Sequence, residues 1–460
     1  MKELISISDL NSVYKISKEK MIKFKVIPLY EIDNYINVVT YEENYESKDY
    51  IEFIFGKKVK FIIVDKEIFN NLILALKPNL DVNLEETIIE ETINKNGSDI
   101  HFEPSRNFVT IRIRIDGILS IVGKIRNIDY NQILSRVKLN GNMDIAEKRK
   151  PQDGKILIKN SKGSFDCRIS TIPVIYGEKM VIRILYKEKL DHSIDSLKLL
   201  PFQQEILNKI INAETGMLII SGPTGSGKTS TLYSIISSIK DKDINITTIE
   251  DPVECNIKDI NQMNVNRKIN FSFAEGLRSI LRQDPNVIMV GEIRDEETAS
   301  MATRAAITGH KVYSTIHTKS SRDIFLRLED MKVKNYLIKD SLIGAISQRL
   351  VGRLCPNCKE KHKEIIKGKE YTLYREVGCK KCNFTGIKGR RLICAIHFID
   401  EKTRNKFNNI YNDLEFLSNE QMYHVCKSLL KNGEISYKQY RRFIHGEDLI
   451  KYENNEKEIL

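Results

Sequence analysis

Eight consecutive residues, Gly222-Pro223-Thr224-Gly225-Ser226-Gly227-Lys228-Thr229, fit the pattern G-x-x-x-x-G-K-[ST] at every position. Glycines at these points let backbone N–H groups converge on phosphate oxygens without a Cβ in the way. A helix N-terminus directly behind them adds positive field. Lys228 is placed to reach the β- and γ-phosphates, Thr229 to hold a magnesium ion, and Ser230 follows as the next residue of the cradle. The chemistry implied is the binding of a nucleoside triphosphate.

Such a loop needs an acid at the end of a neighbouring strand, to hold the metal or to orient water. Val287-Ile288-Met289-Val290-Gly291-Glu292 offers the strand, but glycine stands where many phosphate-loop enzymes have aspartate. Glu292 is the remaining acid; it could hold magnesium through water, polarise the attacking water, or sit solvated in a loop. A second acidic cluster, Thr248-Ile249-Glu250-Asp251-Pro252-Val253-Glu254, also follows an apolar run. It could supply a general base, or be a solvated turn. His310 and His317 flank the apolar run Val312–Ile316. Spacing alone makes them structural, whereas in an ATPase the pair could sense the γ-phosphate.

Cys355-Pro356-Asn357-Cys358 and Cys379-Lys380-Lys381-Cys382 are two C-x-x-C pairs with 20 residues between them. That spacing fits a structural zinc site of four thiolates, closed to substrate. Zinc would fold a small element with no core of its own. The surrounding segment, 351–391, holds twelve Lys/Arg against four Asp/Glu. Cys167, Cys255, Cys394 and Cys426 have no partner spacing and are expected as buried thiols.

These residues must be held by ordered elements. The chain has 460 residues, 41% of them hydrophobic, enough for roughly two to four domains with real cores. Residues 1–76 read as a small α+β domain, with strands at Ile36–Thr40 and Val59–Val64 and a helix at Lys66–Leu76. After a break at 77–81 comes a second α+β domain, 81–190. It has a helix at Leu84–Asn94 that Gly97 should end, an Ile/Arg alternation over Ile111–Ile115, and strands at Phe165–Ser170 and Lys179–Leu185. A polar linker, 188–193, leads to strands and helices in alternation from about 195 to 400. The strands are Gly216–Ser221, Ile244–Ile249 and Val287–Val290, with a helix at Thr229–Ile239. Such alternation predicts a mostly parallel sheet with helices on both faces. The four-cysteine element, 353–391, inserts there, and a helical, polar tail fills 401–460.

The net charge of +11 permits an anionic partner without demanding one, and there is no basic stripe with interleaved aromatics, so nucleic acid is not expected. No apolar run reaches about 18 residues and the N-terminus lacks an apolar leader, so the expectation is a cytoplasmic chain with no direct membrane insertion.

Several motifs occur in an order that resembles the secretion and pilus motor ATPases. Asp99-Ile100-His101-Phe102-Glu103-Pro104, Arg112–Gly117, Pro151–Lys155, Arg168–Thr171 and Gly177–Lys179 resemble their second domain. Residues 250–254 look like their aspartate box. Leu281–Pro285 through Gly291–Asp295 look like their atypical Walker B, where glycine also replaces aspartate. Thr308–His310 and Ser314–Thr318 look like their histidine box. The resemblance spans about 85 to 395.

It implies a RecA-like ATPase domain behind two α+β domains, with a zinc knuckle of the kind found in pilus-extension and type II secretion motors. It implies a homo-hexamer that hydrolyses ATP with Mg²⁺ at the inner face of the cell membrane. That ring would drive pilin or pseudopilin assembly through an inner-membrane platform protein. It assigns Glu254 and Glu292 to magnesium and water activation, without deciding between them as base. It brings Arg168 and Arg183 of the second domain onto the γ-phosphate, with Arg278 and Arg282 as weaker candidates. Two other readings stay open: a nucleic-acid translocase of the phosphate-loop class, and a nucleotide-gated scaffold with little turnover.

Overall fold

The computed structural model describes residues 1–76, 84–161, 163–186, 193–240, 243–366, 368–405, 410–447, 449–450 and 452. They fall into two compact units, Met1–Tyr186 and Lys187–Leu460. The breaks expected at 77–81 and 188–193 lie, for the most part, outside the described residues.

The first unit carries two sheets. Strands β1 (Val26–Ile32), β2 (Tyr35–Thr40) and β3 (Lys58–Ile63) form one, with β1–β2 antiparallel and β2–β3 parallel. The other contains β4 (Gly97–Pro104), β5 (Phe108–Ile115), β6 (Ile118–Arg126), β7 (Gln152–Asn160), β8 (Gly163–Val174) and β9 (Gly177–Leu185), in the antiparallel order β6-β5-β4-β9-β8-β7. Strict alternation gives this sheet two faces. Ile100, Phe102, Ile111, Ile113, Cys167, Ile169, Ile182 and Ile184 are buried in one core cluster with residues of helices Leu84–Asn94 and Asn127–Asn140. The side chains of Asp99, His101, Glu103, Arg112, Arg114 and Arg183 take the alternate positions. Gly97 does not end the preceding helix as expected. Asn96 makes the turn at φ +54°, and Gly97 opens β4 because a Cβ there would lie 2.5 Å from Thr92 Cγ2.

The first 76 residues are packed onto this sheet. Phe108 and Ile121 join the core of the three-stranded sheet. The buried Lys124 Nζ donates to Ser6 O at 2.8 Å and Ser8 O at 2.9 Å. A lysine held this way satisfies two carbonyls at the end of the first helix, Lys2–Ile7.

The second unit is built on seven strands. They are β10 (Gly216–Ser221), β11 (Ile246–Glu250), β12 (Asn261–Asn264), β13 (Val287–Val290), β14 (Lys311–Ile316), β15 (Leu342–Leu354) and, after a hairpin of β16 (Glu360–Ile366) and β17 (Lys369–Arg375), β18 (Ile387–Phe398). Their order is β12-β11-β13-β14-β10-β15-β18, parallel except for β15–β18. β10, β11 and β13 are buried along their whole length, which is why they read as short continuous apolar runs rather than alternating ones. Two core clusters cover the faces of this sheet.

The tail, expected to be polar and featureless, contains helices Ile410–Lys431 and Tyr437–Gly446. It buries Met422, Tyr423, Cys426, Leu429, Leu430, Tyr440 and Ile444 against Ile393 and Ala395 of β18 and Ile366 and Leu373 of the hairpin. A hairpin with charges at half of its strand positions thus gains a core by sharing one with the tail. Cys167, Cys255, Cys394 and Cys426 are all buried, as expected.

Candidate functional site

The loop after β10 leads into helix Lys228–Ile239, whose cap is Gly227 at φ +88°. Only glycine fits at 222: a Cβ would lie 2.5 Å from Ser226 Oγ and 2.6 Å from Gln348 O. The buried Lys228 bends back over the loop, its Nζ donating to Gly222 O at 2.7 Å and Pro223 O at 3.2 Å. Burial, aided by the nearby Arg349 charge, pushes Lys228 below the ordinary lysine range against the pull of Glu292. Ser221 Oγ, Ser226 Oγ and Gln348 Oε1 are buried and have no hydrogen-bond partner among the described residues. Buried polar atoms left open around such a loop fit a polar ligand that completes them. Thr229 and Ser230 are half-buried on the first turn of the helix.

Parallel pairing sets Ser221 beside Ile316 and Val290 beside Ser314, so the ends of β10, β13 and β14 lie together. Ligands in open α/β sheets bind at this carboxyl edge. Thr315 Oγ1 donates to Gly291 O at 2.8 Å and Ser314 Oγ to Val290 O at 2.7 Å, which fixes the turn carrying Glu292. Gly291, where the usual aspartate would stand, is closely approached: a Cβ there would sit 3.3 Å from Ile249 O and 3.4 Å from Glu250 Cα. Glu292 is mostly buried, with Oε1 2.5 Å from Arg294 and Oε2 3.3 Å from His317 Nε2. Burial and the Lys228 charge hold His317 below the ordinary imidazole range, with Glu292 opposing. Lys228, Glu292 and His317 therefore feel one another's charge, and the edge of the sheet brings three separate motifs into one site.

The acidic cluster divides. Glu250 is fully buried at the end of β11. It accepts from Tyr233 OH, from Thr248 Oγ1 at 2.6 Å and from Gln262 Nε2 at 3.1 Å. Tyr233, in the helix behind the phosphate loop, also accepts from the Glu254 backbone N–H at 3.2 Å. Burial beside the Glu250 carboxylate pushes the Tyr233 hydroxyl upward, so it stays a donor. Glu250 is thus a brace, and the exposed Glu254 side chain leaves a backbone held by Tyr233.

His310 does not join this site. It lies at the opposite end of β14, a six-residue strand that spans about 20 Å at ~3.3 Å per residue. Its Nδ1 lies 3.0 Å from Ala305 O, and its carbonyl accepts from Gly216 N–H. Arg278 is tied to Glu275 and Glu297 on the surface, and Arg282 donates to Arg278 O at 3.1 Å.

Arg168 and Arg183 belong to the first unit, paired across β8 and β9, with Asp99 opposite Arg183 on β4. Like charges facing each other cost stability. Here Asp99 Oδ1 lies 2.9 Å from Arg183 Nε and Oδ2 3.5 Å from Arg114 Nε. Burial would raise Asp99, but the hydrogen bonds from Arg183 and Ser98 outweigh it and hold the carboxyl below its ordinary range.

The sulfurs of Cys355, Cys358, Cys379 and Cys382 all lie within 4.8 Å of one another. Four thiolates around zinc at ~2.3 Å stand about 3.8 Å apart. The structure has Cys355–Cys379 at 3.9 Å, Cys358–Cys382 at 3.7 Å and Cys379–Cys382 at 3.8 Å, far beyond a disulfide bond. Backbone N–H groups aim at two of the sulfurs, Gly378 at Cys358, 3.3 Å, and Cys379 and Gly386 at Cys382, 3.1 and 3.3 Å; burial nevertheless pushes the Cys358 thiol up. Burial opposes ionisation at Cys382, but these donors and the neighbouring thiols bring it down to about 7. The donor set and its spacing fit zinc.

Motif spacing gave no sign of Tyr233, Gln348 or Arg349. Gln348 Nε2 donates to Ser226 O at 2.7 Å, and Arg349 is buried beside it on β15. The sequence signal of Gln348 and Arg349 is polar residues inside a largely apolar strand; Tyr233 lies on a helix and has none.

The chain matches the family described as type II/IV secretion system protein over residues 79–442. It is 40% identical over 363 residues to the putative type II secretion system protein E of Escherichia coli K12, covering 76% of this chain and 73% of that one. It is 42% identical over 331 residues to the type IV pilus assembly ATPase PilB of Thermus thermophilus, covering 69% of this chain and 37% of that one. Among solved structures, the pilus retraction motor PilT with bound ADP aligns at TM-score 0.52 and 26% identity, over 77% of this chain and 95% of that one. With the phosphate loop, Glu292 and His317 gathered on one edge of an α/β sheet, the chain belongs to the type II/IV secretion system protein family of secretion and pilus ATPases.

Proposed function

We propose that this chain is an ATP-hydrolysing motor subunit that drives assembly of a type IV pilus or of the related type II secretion pseudopilus. It works as a homo-hexamer at the cytoplasmic face of the inner membrane, against a platform protein. The observation that carries this reading is the convergence of Lys228, Glu292 and His317 where β10, β13 and β14 end. No helix among the described residues is long and apolar enough to cross a membrane, so attachment is assigned to protein partners.

In this mechanism the triphosphate lies along Gly222–Ser230, and Lys228 exchanges its two loop carbonyls for phosphate oxygens. Thr229 and Glu292 would hold Mg²⁺, which neutralises phosphate charge when bound. Glu254 or Glu292 orients water and takes its proton, with His317 and Arg294 beside Glu292. Arg168 and Arg183 are assigned to the charge of the γ-phosphate, the role of an arginine finger. The four thiolates would hold zinc as a structural brace.

The test is Mg-dependent ATP turnover measured together with mass in solution, for wild type, Lys228→Ala and Glu292→Gln. Turnover that rises with a hexamer-sized species and is lost in both variants is the expected result. Wild-type turnover in Lys228→Ala would refute the site assignment.

A further inference from the structure

We infer that the ion pair between buried Arg349 and half-buried Glu447 is a positioning device for the phosphate loop, through which the C-terminal helix sets nucleotide affinity. The inference rests on the nucleotide reading of Gly222–Thr229 and adds residues that no motif contains.

Arg349 lies on β15 directly after Gln348. Its guanidinium makes four hydrogen bonds to three separate segments. Nε and one terminal nitrogen grip the Glu447 carboxylate at 2.6 and 2.7 Å. The same terminal nitrogen donates to Lys319 O at 2.8 Å, and the other donates to Gln348 O at 3.0 Å. Two of these segments touch the site. Gln348 O is the carbonyl that leaves no room for a Cβ at Gly222, and Gln348 Nε2 carries Ser226 O. Lys319 belongs to the turn after His317. One planar group thus sets the support under the phosphate loop and the anchor of the histidine that faces Glu292. Its charge also reaches Lys228.

Two features are costly unless position is what they serve. Arg349 is taken out of water to reach Glu447, and such pairing is commonly no more stabilising than well-packed apolar residues of similar size. Glu447 also stands at the C-terminal end of helix Tyr437–Gly446, where the helix dipole disfavours an anion. The start of that helix is fixed elsewhere: Ser436 Oγ donates to Glu376 at 2.6 Å, in the four-cysteine element. The helix therefore presents Glu447 from a firm base. A lysine at 349 could not span the same acceptors, because it lacks the planar fork of donors.

The test uses the full chain, binding of Mg²⁺ with N-methylanthraniloyl-ADP, and the thermal midpoint. Arg349→Met with Glu447→Leu replaces the pair by apolar side chains. The midpoint should stay within about 5 °C of wild type, while the dissociation constant rises about tenfold, as for one lost charged hydrogen bond. Arg349→Lys should also fail to restore affinity. If the double variant binds as wild type does, the pair is only structural and the inference falls. Should the double variant not fold, Glu447→Gln decides: a severalfold weaker dissociation constant supports the inference, and an unchanged one overturns it. A wild-type chain that does not take the nucleotide would overturn the phosphate-loop reading instead.

Discussion

His397 on β18 is buried, with Nε2 2.7 Å from Ser418 Oγ on the tail helix, and burial pushes the imidazole down to about 4. The unfolded chain should titrate near the ordinary value of about 6.5. Between those limits the unfolded state binds a proton that the native state excludes, so stability rises with pH and is lost as pH falls below about 6.5. At pH 5 the loss is about 2 kcal/mol, and it levels off near 3 kcal/mol below pH 4, at ~1.4 kcal/mol per pH unit of displacement. Replacing His397 with glutamine removes the titration while keeping a polar partner for Ser418. Urea unfolding followed by circular dichroism at pH 7 and pH 5, on both proteins, isolates the effect from that of the carboxylates. Wild type should lose about 2 kcal/mol more than His397→Gln between the two pH values. Parallel losses would refute the claim that β18 and the tail helix enclose a neutral histidine.

Cys382→Ser should lower bound zinc, read by metal analysis, and loosen the hairpin core shared by Ile366, Leu373 and the tail, read as faster amide exchange there. Full protection without metal would show that the thiols do not depend on zinc. Arg183→Ala should leave nucleotide binding intact and lower turnover by about 10³-fold, the lower end of the effect of an arginine finger. Unchanged turnover would return Arg183 to a role in balancing Asp99.

The phosphate loop was legible because its chemistry is local. Glycines, lysine and threonine at fixed offsets build a cradle from consecutive backbone atoms, and Gly222–Thr229 needed no distant residue to be recognised. The four cysteines were legible for the same reason, since two short pairs bring all the ligands a tetrahedral site requires. The strands β10 and β13 could be read within a residue or two, because continuous burial writes itself as an apolar run.

Other features were decided only by the tertiary structure. His310 and His317 look alike in sequence, yet β14 is parallel to β10, so only the histidine at its carboxyl end meets Lys228. Glu250 and Glu254 stand four residues apart, but Glu250 is buried against Tyr233 of the helix behind the phosphate loop and Glu254 is exposed. The tail looked polar because its apolar residues are spread over two helices, and β18 and the hairpin gather them into one core. Sequence spacing fixes chemistry that neighbouring residues can build; the fold decides which distant side chains share a site, because strand direction and packing, rather than residue type, set those distances.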